Sequence, residues 1–204
     1  QAGNWDVGHK IIVAGTEYLR PANRQNSGTQ DEVRMITGIE RVPDDDVTIV
    51  TLNQPLEYDR VPPPQAVDWY EPKSHVANRS RNIMFQSELG PSSPINKRAH
   101  MMIMSSDSVF EGVAWCSLGR TDKSVWVDDP GMNPGGWMGE GTNARGRYPL
   151  HFHKIGTDSV LSDPVQVRGC FMQFSPGWGY VLHSSHGVFE DNVSYHIYGA
   201  AYVT

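Results

Sequence analysis

Apolar positions along this chain rarely recur at a helical spacing. They alternate in short runs cut by Gly, Pro, Asn and Asp, the pattern of strands with one buried face. Residues 10–18 (KIIVAGTEY), 33–39 (VRMITGI) and 47–52 (VTIVTL) form a first group, joined by the turn-forming stretches PANRQNSGTQ and PDDD. The acidic run at 44–46 reads as a solvated turn. Prolines in VPPPQAVDWYEP (61–72) cannot donate to a strand ladder, so 61–78 is expected to be a linker. The pattern thus predicts a strand-rich part over 1–60 and a second region over 79–204.

In the second region three segments align: VFEGVAWCSLG (109–119), VRGCFMQFSPG (167–177) and VFEDNVSYHIYG (188–199). Each carries Val, then Gly112, Gly169 or Asp191, then an alternating strand. A recurrence of about two dozen residues with strand–turn content is the mark of a solenoid whose coils bury their apolar faces only by stacking. The expected fold is therefore all-β. An insertion over 120–146, rich in Gly, Asp and Trp, interrupts the array and is expected to project as a loop. Trp126 and Trp137 in it either stack on sugar rings or fold back onto the wall.

The chain also resembles a known family. The segments NWDVGHKIIVAGTEY, ITGIERVPDDDVTIVTLNQPLEYD, HVANRSRNIMFQSE, GRYPLHFH and SPGWGYVLHSSHGVFEDNVSYHIYGAAYVT occur here in an order similar to that of large extracellular proteins with an eight-glycine domain. That family includes cell-migration-inducing hyaluronan-binding protein, the fibrocystins and bacterial parallel β-helix proteins. The chain departs from the pattern at His9 and Arg79. The resemblance implies a right-handed parallel β-helix in an extracellular or cell-surface protein, with residues 1–60 at the end of, or just after, the eight-glycine domain. It further implies carbohydrate engagement, reaching depolymerisation of a hyaluronan-like polysaccharide in some members. Others are structural or adhesive, with no catalysis. The chain starts at Gln1 and stops at Thr204 within the array, so it is expected to be a piece whose partners include further coils of the same parent chain.

The candidate chemistry lies in RYPLHFH (147–153) and GWGYVLHSSH (177–186). Aligning the two strands puts His153 over His183, and His151 shares the parity of His153, so the three imidazoles can converge. The next coil is expected to place Thr204 in the same column. Three readings stay open: ligands of a divalent metal, metal-free groups for proton transfer or binding, or a structural ladder. His186 and His196 read as surface or satisfied polar residues, and His100 as the cap of a buried HMMIM strand. Arg145, Arg147 and Lys154 around the histidines form a basic patch suited to an acidic sugar. The carboxylates available for glycoside hydrolysis are Glu111, Glu190, Asp191, Asp122, Asp128 and Asp129. Glu111, Arg168 and Glu190 read as a salt-bridged column.

Composition narrows the classes. A formal charge of −6 with 20% charged residues points away from nucleic acid. That acidity is what makes a local basic patch a requirement for an anionic polysaccharide or glycoprotein partner. No apolar run is long enough for a membrane span. The 2 cysteines, Cys116 and Cys170, read as buried free thiols or a pair. No GxSxG, GxxxxGK, CxxC or HExxH motif is present. Two functions follow: a carbohydrate-engaging module with His151, His153 and His183 as its centre, or a structural segment. A groove opening from these histidines beside 120–146 would distinguish them.

Overall fold

The structure, a computed structural model, describes residues 4–16, 18–19, 28–42, 47–61, 73–131, 138–157 and 162–204. It is all-β, with several sheets, and divides into two compact units, 1–80 and 81–204.

The first unit contains β1 (Lys10–Val13), β2 (Tyr18–Leu19), β3 (Gly28–Thr29), β4 (Glu32–Val42), β5 (Val47–Leu52) and β6 (Val76–Asn78). Four of them form an antiparallel sheet in the order β5-β4-β1-β6. Its core is Ile11, Val13 and Ile36, with Trp5, Ile39, Val50 and Leu52 packed around them. Two sequence expectations fall on residues outside those described: the acidic turn at 44–46 and the proline run within 62–72. The end of the expected linker needs correction. Val76–Asn78 is a sheet strand, hydrogen-bonded to β1, and a three-residue element behind a proline run leaves too little alternation to be read.

The second unit continues with β7 (Ile83–Gln86), two 3-10 turns (Gly90–Ser92 and Ile95–Lys97), β8 (Met102–Ile103), β9 (Val109–Glu111) and β10 (Val113–Cys116). After the insertion come β11 (Leu150–Gly156), β12 (Val165–Arg168), β13 (Phe171–Ser175), β14 (Tyr180–Ser185), β15 (Gly187–Glu190), β16 (Val193–Ile197) and β17 (Tyr202–Val203). They form three wholly parallel sheets, β16-β13-β10-β7, β17-β14-β11-β8 and β15-β12-β9. Successive strands change sheet at sharp corners. Gly112, Gly169 and Asp191 form one corner position with φ of 61°, 56° and 53°. This left-handed conformation is nearly free for Gly and tolerable for Asp, which explains why those residues mark the repeat. The same conformation recurs at a second column, Ser117, Phe174 and His196, and at a third, Lys154 and Ser184, the last four of these residues lying within strands.

Residues from β10, β11, β12, β13 and β14 point to one core. Trp115, Leu150, Phe152, Val165, Val167, Met172 and Tyr180 are almost wholly buried in it, and their rings meet edge to face. Cys116 and Cys170 are both buried, and they are not joined in a disulfide. Cys170 N–H donates to Asn192 Oδ1 at 2.9 Å, one repeat later, and Asn192 Nδ2 donates back to the Val167 carbonyl at 2.7 Å. The expected column of Glu111, Arg168 and Glu190 is present in the register, with Arg168 Nε 2.8 Å from Glu190 Oε2. Such an exposed pair contributes little to stability. HMMIM is not a wholly buried strand: only Met102–Ile103 pairs, and Met104 is exposed. Among the described residues no helix is long and apolar enough to cross a membrane.

Candidate functional site

Strand alternation sends Leu150 and Phe152 of β11 into the core and His151 and His153 to the opposite face. The parallel register then sets His153 directly against His183. Thr204 does not continue this column, because Tyr180 and Val181 pair with Tyr202 and Val203, which carries Thr204 towards Leu182 instead. A bulge follows His153, where Lys154 adopts φ +55°, and Ser184 repeats that conformation after His183. Both histidines thus sit at the end of their strand's regular pairing.

The three imidazoles converge. Their nearest ligand atoms all lie within 4.8 Å of one another, and Nδ1 of His153 and Nδ1 of His183 are 2.9 Å apart. The rings of His151 and His183 lie nearly parallel with centroids 5.9 Å apart. Exposure rises from His151, which is buried, through His153 to His183. What buries His151 is the end of the insertion. Gly146, at φ +80°, turns its carbonyl to His151 Nδ1 at 2.9 Å, and the Tyr148 ring packs against the imidazole at 5.6 Å. Tyr148 is stacked in turn on Trp178, and the Lys123 ammonium covers Trp178 at 4.1 Å.

This geometry sets the protonation of His151. A carbonyl only accepts, so Nδ1 donates to Gly146 and Nε2 carries the lone pair. Nε2 is buried and has no hydrogen-bond partner. Burial pushes the His151 pKa down, the Gly146 carbonyl resists, and the neighbouring His153, His183 and Arg147 lower it further. His153 is also lowered, by burial first and then by His183 and Lys154. A neutral imidazole with its second nitrogen fixed by a carbonyl is the usual state of a metal-bound histidine. Nitrogens around a tetrahedral zinc lie roughly 3.3 Å apart, given Zn–N bonds of about 2.0–2.1 Å. The spread here brackets that distance, so the residues fit a divalent ion.

The other candidates fare unevenly. Arg147 is half-buried, and its charge reaches His151 and His100. Lys154 is exposed and acts on His153. Arg145 is diverted: its guanidinium pairs with Asp129, whose other oxygen accepts the Arg145 N–H at 2.8 Å. Trp126 does not fold back onto the wall but is 95% exposed. Trp137 lies outside the described residues. The insertion's carboxylates serve the insertion: Asp128 accepts from the N–H of Glu140 and from the N–H and hydroxyl of Thr142, and Asp122 accepts from Ser124. His186 donates its Nδ1–H to the Gly156 carbonyl at 2.8 Å, and His196 stacks on Phe174. A cleft of about 330 Å³ beside the insertion is lined by Ile95, Asn96, Arg120, Asp122, Val125, Thr142 and Asn143, and by none of the three histidines. Sequence reading missed Gly146, Lys123 and Arg120. Only Gly146, immediately before RYPLHFH, offered a signal, as a glycine where a turn must aim a carbonyl.

Similarity to known proteins points one way. No family model matches the chain, and no solved structure matches it. The chain is 26% identical over 202 residues to one G8 domain-containing protein of Dictyostelium discoideum, and 24% identical over 205 residues to another. It is 25% identical over 207 residues to Communication mutant protein F of the same organism. Each match covers 98% of this chain but only 11–14% of the relative. The relatives found are thus distant ones, G8 domain-containing proteins among them, and the chain corresponds to a small part of each.

Proposed function

We propose that the second unit is a right-handed parallel β-helix of an extracellular or cell-surface protein, in which His151, His153 and His183 hold a divalent metal and engage an acidic polysaccharide. The single observation that carries this reading is the buried, unpartnered Nε2 of His151, left as an acceptor on a ring that converges with two more imidazoles. An unsatisfied buried acceptor is costly, and a cation supplies what it lacks. Three parallel sheets with left-handed corners support the β-helix reading. The G8 domain-containing relatives support placing the chain in a large modular protein.

Three histidines leave a fourth position open, which is the pattern of catalytic rather than structural zinc. An ion held by these three side chains would supply Lewis acidity for depolymerising a hyaluronan-like chain. Around it, the chain's own groups divide the work. Gly146 sets the His151 tautomer, Tyr148 shields that imidazole from water, and Arg147 and Lys154 offer positive charge to a uronate.

A second reading has its own observation. The 2.9 Å contact between His153 and His183 satisfies both rings as a ladder, and no histidine lines the cleft beside the insertion. On that reading the module is structural or adhesive.

Calorimetric titration of the 204-residue chain with Zn²⁺ separates the two. The metal reading requires one ion per chain, lost in the His153→Ala/His183→Ala variant. Absence of binding by the folded chain sinks it and leaves the ladder. A parallel incubation with hyaluronan tests depolymerisation, which should disappear with chelator or with the double variant.

A further inference from the structure

We infer that the cleft between the Ile95–Lys97 turn and the base of the insertion is a subsite for a carboxylate-bearing sugar unit, with Arg120 as its anion anchor. This rests on the polysaccharide reading above but uses neither the metal nor the three histidines. The cleft holds about 330 Å³, within the range of small-ligand sites.

Both of its walls are fixed from behind. Arg98 donates to the carbonyls of Ser93, Pro91 and Phe174 at 3.1, 3.0 and 2.8 Å, which holds the turn bearing Ile95 and Asn96. On the other side Asn143 Oδ1 accepts the Asp122 N–H, while its Nδ2 donates to the carbonyls of Asp122, Val125 and Trp126. Such a preformed cleft loses little conformational entropy when a ligand enters.

Charge selects the ligand. Arg120 lines the cleft, half-buried, and its backbone is tied to Arg147, since Arg120 N–H donates to the Arg147 carbonyl at 2.8 Å. Among the described residues the ion pairs engage Arg34, Arg60, Arg145 and Arg168, and neither Arg120 nor Arg147 takes part in one. His100 registers both charges: burial lowers its pKa first, and then Arg120 and Arg147 lower it further. Of the charged side chains, Arg120 and one carboxylate, Asp122, line the cleft, and Asp122 Oδ1 already accepts from the Ser124 N–H and hydroxyl. Arg120 is thus the cationic group among the lining residues, and a single guanidinium suits a monoanion better than a sulfate or phosphate dianion. A guanidinium matches a carboxylate in geometry as well as charge. Ile95 and Val125 present apolar surface to the C–H face of a sugar ring. Asn96 and the second oxygen of Asp122 remain for its hydroxyls. The exposed Trp126 stands next in sequence, a platform for the neighbouring ring.

The test is calorimetric titration of the 204-residue chain, in chelator, with trigalacturonate, its methyl ester and neutral maltotriose. The acid should bind, and the ester and the neutral sugar at least about tenfold more weakly, as expected for loss of a charged hydrogen bond. Arg120→Ala should abolish the preference for the acid, Arg120→Lys should keep part of it, and Arg145→Ala should leave it unchanged. The His153→Ala/His183→Ala variant should keep the preference for acid over ester, whatever contacts it loses at the histidine cluster. Equal binding of acid and ester, or an unchanged preference in Arg120→Ala, overturns the proposal. So does failure of a folded chain to bind any of the three. Loss of that preference in the histidine variant would move the anion to the imidazole cluster, overturning the cleft while sparing the site proposed above.

Discussion

The two units bury ionisable groups in opposite ways. In the first unit β4 alternates so that Glu32, Arg34 and Ile36 face inward while Val33 and Met35 face out. Each oxygen of Glu32 then receives two donors. Oε1 accepts from Arg60 at 2.6 Å and from the Tyr58 N–H at 3.3 Å, and Oε2 from Arg34 and from the Glu57 N–H at 2.9 Å. In the second unit His151 is buried as deeply, yet Nε2 is left without a partner beside two other imidazoles. A saturated buried charge is an element of the fold. A buried acceptor left without a partner carries a desolvation cost that the fold itself does not offset.

The sharpest way to break this contrast is Glu32→Ala. It strands two buried guanidinium groups, and breaking a buried ionic network by removing one partner costs about 3–5 kcal/mol. Amide hydrogen exchange should show Ile11, Val13 and Ile36 losing protection while Phe152, Val167 and Met172 retain theirs. Equal loss in both groups would mean that the units do not fold independently.

Acid should separate the units next. Burial alone would raise the Glu32 carboxyl, but the Glu57 and Tyr58 N–H donors and the charges of Arg34 and Arg60 outweigh it and hold the pKa down. A depressed folded pKa means that the unfolded state protonates first. The stabilisation from Glu32 is complete above the unfolded carboxyl pKa of about 4.3 and lost as pH falls through the folded value. His100, His151 and His153 are depressed too, burial being the leading cause in each. The same sign applies at a higher window, starting near the unfolded imidazole pKa of about 6.5. In chelator, the second unit should therefore lose stability between pH 6.5 and 5, before the first does. Urea denaturation followed at Trp5 and Trp115 by NMR checks the order, and the reverse order would remove the distinction drawn here.

Asn143→Ala sharpens the contrast locally. The side chain closes the base of the insertion with one accepted and three donated hydrogen bonds, so its loss should cost about 1–3 kcal/mol. The larger consequence is for His151. Once the base loosens, the Gly146 carbonyl no longer fixes Nδ1–H, and ¹⁵N shifts of the ring should report a mixture of tautomers. A tautomer unchanged in this variant would show that β11 alone orients the ring.

Local pattern made part of this legible. Alternation marks β1, β4 and β5, the Gly112, Gly169 and Asp191 frame marks the repeat, and laying RYPLHFH over GWGYVLH brings His153 over His183. The facing of β4 was not legible, because Val33 and Met35 look like the inward set until Arg60 and the 57–58 backbone arrive to saturate Glu32. Nor was the role of Arg145, since only the folded insertion brings Asp129 to it. The burial of His151 likewise depends on Gly146 and Tyr148 closing over a strand face that alternation by itself would leave to solvent. What failed to show in the sequence was set by tertiary neighbours.

The smallest effect tests the corners on which the second unit depends. Gly169 has φ +56°, and a Cβ built on it meets nothing within 4 Å, so Gly169→Ala isolates backbone strain from any clash. The left-handed conformation costs a non-glycine residue about 1–2 kcal/mol, and the variant should be destabilised by that amount. Asp191 already bears the cost at the equivalent corner with φ +53°, and Asp191→Gly should change stability by less than about 1 kcal/mol in either direction, strain relief opposing the added freedom of the unfolded chain. The first unit has no counterpart in β4, which stays extended throughout, so its urea midpoint should not move in either variant. If Gly169→Ala were neutral and Asp191→Gly strongly stabilising, the two corners would not be equivalent, and the repeat that aligns Gly112, Gly169 and Asp191 would lose its structural basis.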